Sequence, residues 1–281
     1  MSEEKILRKP EWLKVNRTPL DSYSNLHSPL NNGNLHTICE SGMCPNKAEC
    51  WSQGTATFMI LGDICTRNCK FCAVDTGKPL PPDPNEPEHI LEVAQKLSLK
   101  HVVLTSVTRD DLPDRGANHW AKCIQLLKNA NLTVEVLVPD FDGNRDLIKI
   151  VADASPDIFS HNLETVRSLT KQIRTKATYD NSLHTLDIAA SFGLTTKSGI
   201  MVGLGEKFEE VIEVMDDLLN VNCKILTIGQ YLQPSKNNYP VKEYVIPQIF
   251  NEYKKIALEK GFTYVESAPL VRSSYHSEKI L

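Results

Sequence analysis

Short runs rich in β-branched and apolar residues recur along the chain, from Thr57 to Leu61, His101 to Thr105, Leu132 to Leu137, Asp157 to Ser160, Thr196 to Val202 and Lys224 to Ile228. Each has the length and residue type of a buried strand. Between them lie longer stretches with helical spacing of apolar positions, His89 to Leu99, Trp120 to Ala130, Arg145 to Ala154, Asn181 to Phe192 and Phe208 to Leu219. Alternating β and α predicts a parallel sheet. About six such units suit an α/β fold of the partial (βα)6 TIM type better than a doubly wound sheet. The pattern divides the chain into an N-terminal extension (1–56), the partial barrel (57–261) and a C-terminal tail (262–281), with both extensions expected over the barrel mouth. Residues 78–87 hold five prolines and read as an extended loop leading into a helix near Glu88.

Composition narrows the class. At 41% hydrophobic and 23% charged residues the chain is an ordinary globular protein. A formal charge of −4 gives no positive field for a phosphate backbone, so nucleic acid is not an expected partner. No run of 18 apolar residues occurs and the first residues carry charges, so neither a membrane span nor an export signal is expected, and the cytoplasm is the expected compartment. Gly203-Leu-Gly205 begins like a dinucleotide fingerprint, but Phe208 stands where its third glycine belongs.

The cysteines carry the chemistry. Six of the eight fall within 34 residues, as Cys39-x4-Cys44-x5-Cys50 and Cys65-x3-Cys69-x2-Cys72. Buried structural thiols, zinc ligands and iron–sulfur ligands compete as readings. Structural zinc usually takes Cys-x2-Cys knuckles and closes four ligands, whereas each group here offers three thiolates at wider gaps. Three thiolates leave one iron of a cubane to another ligand or to chemistry. The second group directly follows the first strand run, where barrel active sites form.

Cys65-x3-Cys69-x2-Cys72 after the first strand resembles the signature of radical S-adenosylmethionine enzymes. The upstream triad, with Arg272-Ser-Ser-Tyr275, is similar to lipoyl synthases within that superfamily. Further matches are Pro10 to Lys14, Gly33 to Thr37, Cys44 to Asn46, Thr105 to Val107 with Arg109 to Asp111, His161 to Thr165, and Gly203 to Glu206. The resemblance implies two [4Fe-4S] clusters. Cys65, Cys69 and Cys72 would hold the reducing cluster that cleaves S-adenosylmethionine to a 5′-deoxyadenosyl radical, a step no side-chain acid or base performs. Cys39, Cys44 and Cys50 would hold an auxiliary cluster closed by Ser274, with Ser273 the alternative, whose sulfur passes to C6 and C8 of a protein-bound octanoyl-lysine.

Thr105, Asn162, Glu164 and Arg174 are implied contacts of S-adenosylmethionine, two molecules of which serve each lipoyl group. Implied partners are octanoylated carrier domains (2-oxoacid dehydrogenase E2 subunits and the glycine cleavage H protein), an electron donor such as flavodoxin or ferredoxin, and an iron–sulfur carrier protein. Plain readings stand beside these. Asn162, Glu164 and Arg174 would cap a helix or form a surface ion pair, and Thr105 would be a satisfied barrel threonine. Cys123 and Cys223 fit buried small hydrophobes, His36 a structural loop histidine, and Lys5, Arg8, Lys9, Lys14 and Arg17 either a solvated arm or a docking edge for an acidic carrier. The rival functions are a tRNA methylthiotransferase-like enzyme, which would need an RNA-binding surface, and a noncatalytic iron–sulfur protein, which would scarcely need a barrel.

Overall fold

The computed structural model describes residues 8–14, 35–52 and 57–280. All six expected strands form: β2 (Thr57–Ile60), β3 (His101–Ser106), β4 (Thr133–Leu137), β5 (Ile158–Ser160), β6 (Thr196–Val202) and β7 (Ile225–Gln230). They pair in chain order and in parallel. The sheet extends one strand further at each end. β1 (His36–Thr37) joins β2 antiparallel, and β8 (Tyr264–Ser267) joins β7 in parallel. β8 lies in the stretch expected to be tail, because four residues with only Val265 and Ser267 buried give a pattern too short to separate from a loop. Among the described residues no pairing joins β1 to β8, so the sheet keeps a gap between its edges.

The helices are α1 (Ile38–Ser41), α2 (Lys47–Ser52), α3 (Glu86–Lys96), α4 (Ala117–Asn129), α5 (Arg145–Asp153), α6 (Arg167–Ile173), α7 (Tyr179–Ser191), α8 (Phe208–Asn220) and α9 (Pro247–Lys260). α5 starts where the Asn144 side chain accepts from the amides of Asp146 and Leu147. α9, outside the helices read from the sequence, has Pro247 in its first turn and stops at Gly261, whose φ of +116° is left-handed. Strand alternation turns Val102, Leu104, Val134 and Val136 outward against Trp120, Ile124 and Ile148 of α4 and α5. A second apolar core joins β6–β8 to α7–α9.

The opposite faces of the strands are polar. Glu135 and Lys197, both fully buried, pair across the interior at 2.8 and 3.0 Å, and Ser160 Oγ donates to the same carboxylate at 3.0 Å. The segment after β8 then crosses the gap between the sheet edges. Asn46 Nδ2 donates to the Leu270 carbonyl at 2.7 Å, Thr57 Oγ1 to Ser274 Oγ at 3.0 Å, and the Tyr275 hydroxyl to Glu49 at 3.1 Å. Buried Ser277 bonds His101 Nε2 at 2.8 Å. A Cβ at residue 229 would sit 2.1 Å from the Val271 carbonyl oxygen, so only glycine lets the tail lie along β7.

Candidate functional site

The loop after β2 carries Cys65, Cys69 and Cys72 to the C-terminal ends of the strands. All three line a cavity of about 290 Å³, and Thr105, Asn162, Glu164 and Arg174 line the same cavity. Backbone bonds shape the loop: Cys65 N to Asp75 O at 2.8 Å, Thr66 N to Thr108 O at 3.0 Å and Lys70 N to Ile173 O at 2.8 Å. The sulfurs accept backbone amides, Cys65 from Arg67 and Thr108 and Cys72 from Val74, each at 3.4 Å. Hydrogen bonds to sulfur are one means by which proteins tune a cluster. Burial pushes the Cys69 thiol up, and burial with the neighbouring Cys69 and Cys65 takes Cys72 to about 12. Such thiols ionise when a metal takes the place of the proton.

Arg67, inside this triad, fastens the loop to the two following strand ends. It pairs two-pronged with Asp110 (2.9 and 2.9 Å) and with Asp140 (2.9 and 2.8 Å), and it is only 7% exposed. Burial alone would raise the pKa of Asp140, but the guanidinium outweighs it and holds the carboxyl well below the usual range. Next to it, His161 Nδ1 donates to the Val138 carbonyl at 2.8 Å, and Ser182 Oγ, which accepts from Arg174 at 2.8 Å, lies 3.0 Å from Nε2. This pattern fixes the neutral Nδ1–H ring. Burial first, then Arg174, lowers His161 to about 4.

The cavity wall fits a polar ligand. Among the described residues, Ser106 Oγ, Asn162 Oδ1 and Arg174 Nε are buried without a hydrogen-bond partner. Such atoms cost stability unless something else satisfies them. Among the described residues Arg174 makes no surface ion pair; it is 9% exposed and donates to the carbonyls of Asn162 and Leu163. Neither Asn162 nor Glu164 caps α6, which Val166 precedes with no side-chain cap, while Arg174 closes that helix through its backbone N–H on the Thr170 carbonyl at 2.8 Å. Burial raises the Glu164 carboxyl against the pull of Arg174, and Glu164 holds a left-handed φ of +70°. Strain of that kind clusters at functional sites. Thr105 spends its hydroxyl proton on the Leu137 carbonyl at 3.2 Å, which leaves its lone pairs facing the cavity.

The upstream triad sits on α1 (Cys39), the turn after it (Cys44) and α2 (Cys50), with Cys44 N bonded to Cys39 O at 3.1 Å and Cys50 N to Asn46 O at 3.0 Å. Burial raises Cys44, and burial plus the nearby Cys44 and Cys39 takes Cys50 to about 12. Among the described residues no three His, Cys, Asp or Glu side chains are drawn up to hold a single metal ion. A cluster takes its thiolates on separate irons, so its ligands need not meet at a point.

The tail lies against this segment, through Asn46 on the Leu270 carbonyl and Glu49 on the Tyr275 hydroxyl. Arg272 acts electrostatically on Cys44, and Tyr275 on Cys50, whereas Ser273 lines the cavity of the barrel triad. A second cavity, of about 830 Å³, joins the two regions: Ile38 and Met43 beside the upstream cysteines, Cys72 of the barrel triad, Arg272, and Lys9 and Lys14. Cys72, Phe71 and Ile38 line both cavities.

Cys123 and Cys223 are buried in the outer cores, and His36 lines a small pocket under the proline-rich loop whose described lining includes no cysteine. Lys5 and Arg17 lie outside the described residues. Sequence reasoning missed Arg67 with Asp110 and Asp140, the role of His161, and Arg272 as a cavity residue. Arg67 stood in plain view between two cysteines, but its partners are 43 and 73 residues away. Among the described residues no helix is long and apolar enough to cross a membrane.

A family model for the radical SAM superfamily matches residues 59–218. A lipoyl synthase from Treponema denticola is 57% identical over 274 residues, covering 97% of this chain and 94% of that protein. One from Bacteroides thetaiotaomicron is 58% identical over 275 residues, covering 97% and 98%. One from Porphyromonas gingivalis is 52% identical over 278 residues, covering 98% and 99%. Among solved structures, Streptococcus suis SuiB bound to S-adenosylmethionine is similar in fold, with TM-score 0.63 at 12% identity over 83% of this chain and 56% of that one. The hydrogenase maturase HydG from Carboxydothermus hydrogenoformans gives 0.57 at 12% identity, over 95% and 78%.

Proposed function

The chain belongs to the lipoyl synthase family of the radical S-adenosylmethionine superfamily, and from that membership we propose which of its residues do the work. It is a sulfur-inserting enzyme that forms the lipoyl cofactor on carrier proteins, using S-adenosylmethionine and iron–sulfur chemistry. The methylthiotransferase reading is not favoured.

Cys65, Cys69 and Cys72 hold the reducing cluster, and Cys39, Cys44 and Cys50 with Ser274 hold a second one as sulfur donor. When bound, the cluster at Cys65, Cys69 and Cys72 would supply one-electron reductive cleavage of S-adenosylmethionine, the radical chemistry needed for sulfur insertion at C6 and C8 of the octanoyl chain. Arg174 and Asn162 offer a donor and an acceptor to the amino acid end of S-adenosylmethionine, Glu164 offers a carboxylate, and Thr105 an accepting hydroxyl oxygen. Arg67 holds the loop still while they bind. Ser274 is favoured over Ser273 as fourth ligand because its neighbour Tyr275 bonds Glu49 and interacts with Cys50, while Ser273 faces the other cavity. The larger cavity takes the octanoyl chain, and Lys9 and Lys14 at its wall meet the carrier domain. The E2 and H-protein carriers, a flavodoxin or ferredoxin donor, an iron–sulfur carrier for repair, and the cytoplasm as compartment belong to this reading.

The observation that carries it is the cavity of about 830 Å³ lined by Cys72 and by residues beside Cys39 and Cys44, which gives one substrate chain access to both triads. Anaerobic reconstitution with iron, sulfide and Mössbauer quantification tests it, together with turnover on an octanoylated carrier domain. About eight irons and roughly one lipoyl group per chain without repair are expected. About four irons, or cofactor cleavage with no sulfur transferred, would overturn the two-cluster assignment.

A further inference from the structure

Arg272 is a half-buried cation whose hydrogen bond goes to a neutral acceptor, the Val271 carbonyl at 2.6 Å. The surface it keeps open is cavity wall: it lines the large cavity and a smaller pocket shared with Asn162, Glu164 and Ser273. Among the described residues no carboxylate pairs with it, and the ionisable group that acts on it is Cys44. A partly desolvated charge without a counter-charge is costly, and the fold works to keep this one in place. On one side of it the Leu270 carbonyl is held by Asn46, and on the other Ser274 is held by Thr57. Gly229 leaves the space it occupies, since a Cβ there would lie 3.3 Å from Arg272 Nη1.

Cys44 of the upstream triad meets this cation, and as thiolates on iron Cys39, Cys44 and Cys50 make a negatively charged body. We propose that Arg272 is the positioning cation of the upstream triad, balancing the charge of the cluster held by Cys39, Cys44 and Cys50 and so setting its reduction potential and its retention. The inference rests on the two-cluster reading above. At a half-buried site a full positive charge acts more strongly on a nearby redox centre than it would in bulk water, favouring the more negative, reduced state.

The test uses the full chain carrying Cys65→Ala, Cys69→Ala and Cys72→Ala, so that only the upstream cluster reports. Reconstituted samples with Arg272, Arg272→Gln or Arg272→Lys are titrated potentiometrically by EPR and challenged with an iron chelator. The Gln variant is expected to titrate at a more negative potential and to lose iron about tenfold faster, as for the loss of ~1.4 kcal/mol, with the Lys variant returning most of both. A Gln variant with full iron and unchanged potential and release would overturn the inference. So would a Lys variant that fails as badly as Gln, because charge is the claim. If the Gln variant does not hold iron at all, a Lys variant that holds it near the parent potential supports the proposal. Iron missing from the parent with Arg272 intact would sink the two-cluster reading instead, which separates the two failures.

Discussion

The two cysteine triads are built by opposite means. The barrel triad spans eight residues of one loop, takes three backbone amides on its sulfurs, and is locked by a guanidinium gripping two carboxylates from successive strand ends. The upstream triad rides on helices of four and six residues, too short to be stable alone, and apart from the two-residue pairing of β1 with β2 it is held by single hydrogen bonds from a tail more than 200 residues away. A centre that must deliver electrons repeatedly gains from a fixed loop. One that gives up its sulfur and is rebuilt gains from walls that open without disturbing the barrel, and single tail contacts allow that.

The largest effect should come from breaking the rigid side. Arg67→Ala leaves Asp140, 1% exposed, without its cation, while Asp110 keeps Arg115 and Lys176, a loss of about 3–5 kcal/mol for breaking a buried pair. Urea unfolding of the apoprotein measures it. Iron bound at Cys65, Cys69 and Cys72 should fall while iron at the upstream triad persists in the same sample. Equal loss at both triads would mean that the two are one cooperative unit and that the contrast drawn here is wrong.

Acid should also strike the barrel side first. His161 is neutral in the fold, lowered from 6.5 to about 4, so between those values the unfolded chain binds a proton that the native chain refuses. Its contribution is therefore complete above pH 6.5 and is lost as pH falls toward 4, by about 3 kcal/mol at 1.36 kcal/mol per pKa unit. Stability measured from pH 7 to 4 should drop along this course, and His161→Gln should flatten it. An unchanged slope in that variant would assign the acid sensitivity to other groups.

What could be read from sequence follows the same division. The outward strand faces and helix stripes are local patterns, so six strands and most helices were legible from periodicity, as were the cysteine spacings. The interior was not. Glu135 and Lys197 are 62 residues apart and look like ordinary solvent charges inside strand runs, and the partners of Arg67 lie on other loops. Asn162, Glu164 and Arg174 owed their selection to family resemblance, and the cavity with its unpartnered atoms gives a physical reason for it. β8 and α9 escaped because a four-residue strand signal is weak and because the proline opening α9 resembles a breaker until its position at the first turn is known.

The smallest change tests the loose side. Thr57 Oγ1 donates to Ser274 Oγ at 3.0 Å, and Val at this position keeps the shape, so Thr57→Val removes one hydrogen bond from the tail. Thr57 is 3% exposed in the first position of β2, where a β-branched residue suits the strand, so global stability should fall by only about 1 kcal/mol. The barrel triad, beyond the far end of that strand, should keep its iron. Ser274 would lose the donor that orients it, and iron should leave the upstream triad several-fold faster under chelator. If release is unchanged while stability falls by the expected amount, the tail is held by its other contacts, through Asn46, Glu49 and His101, and the upstream site is more rigid than its short helices suggest.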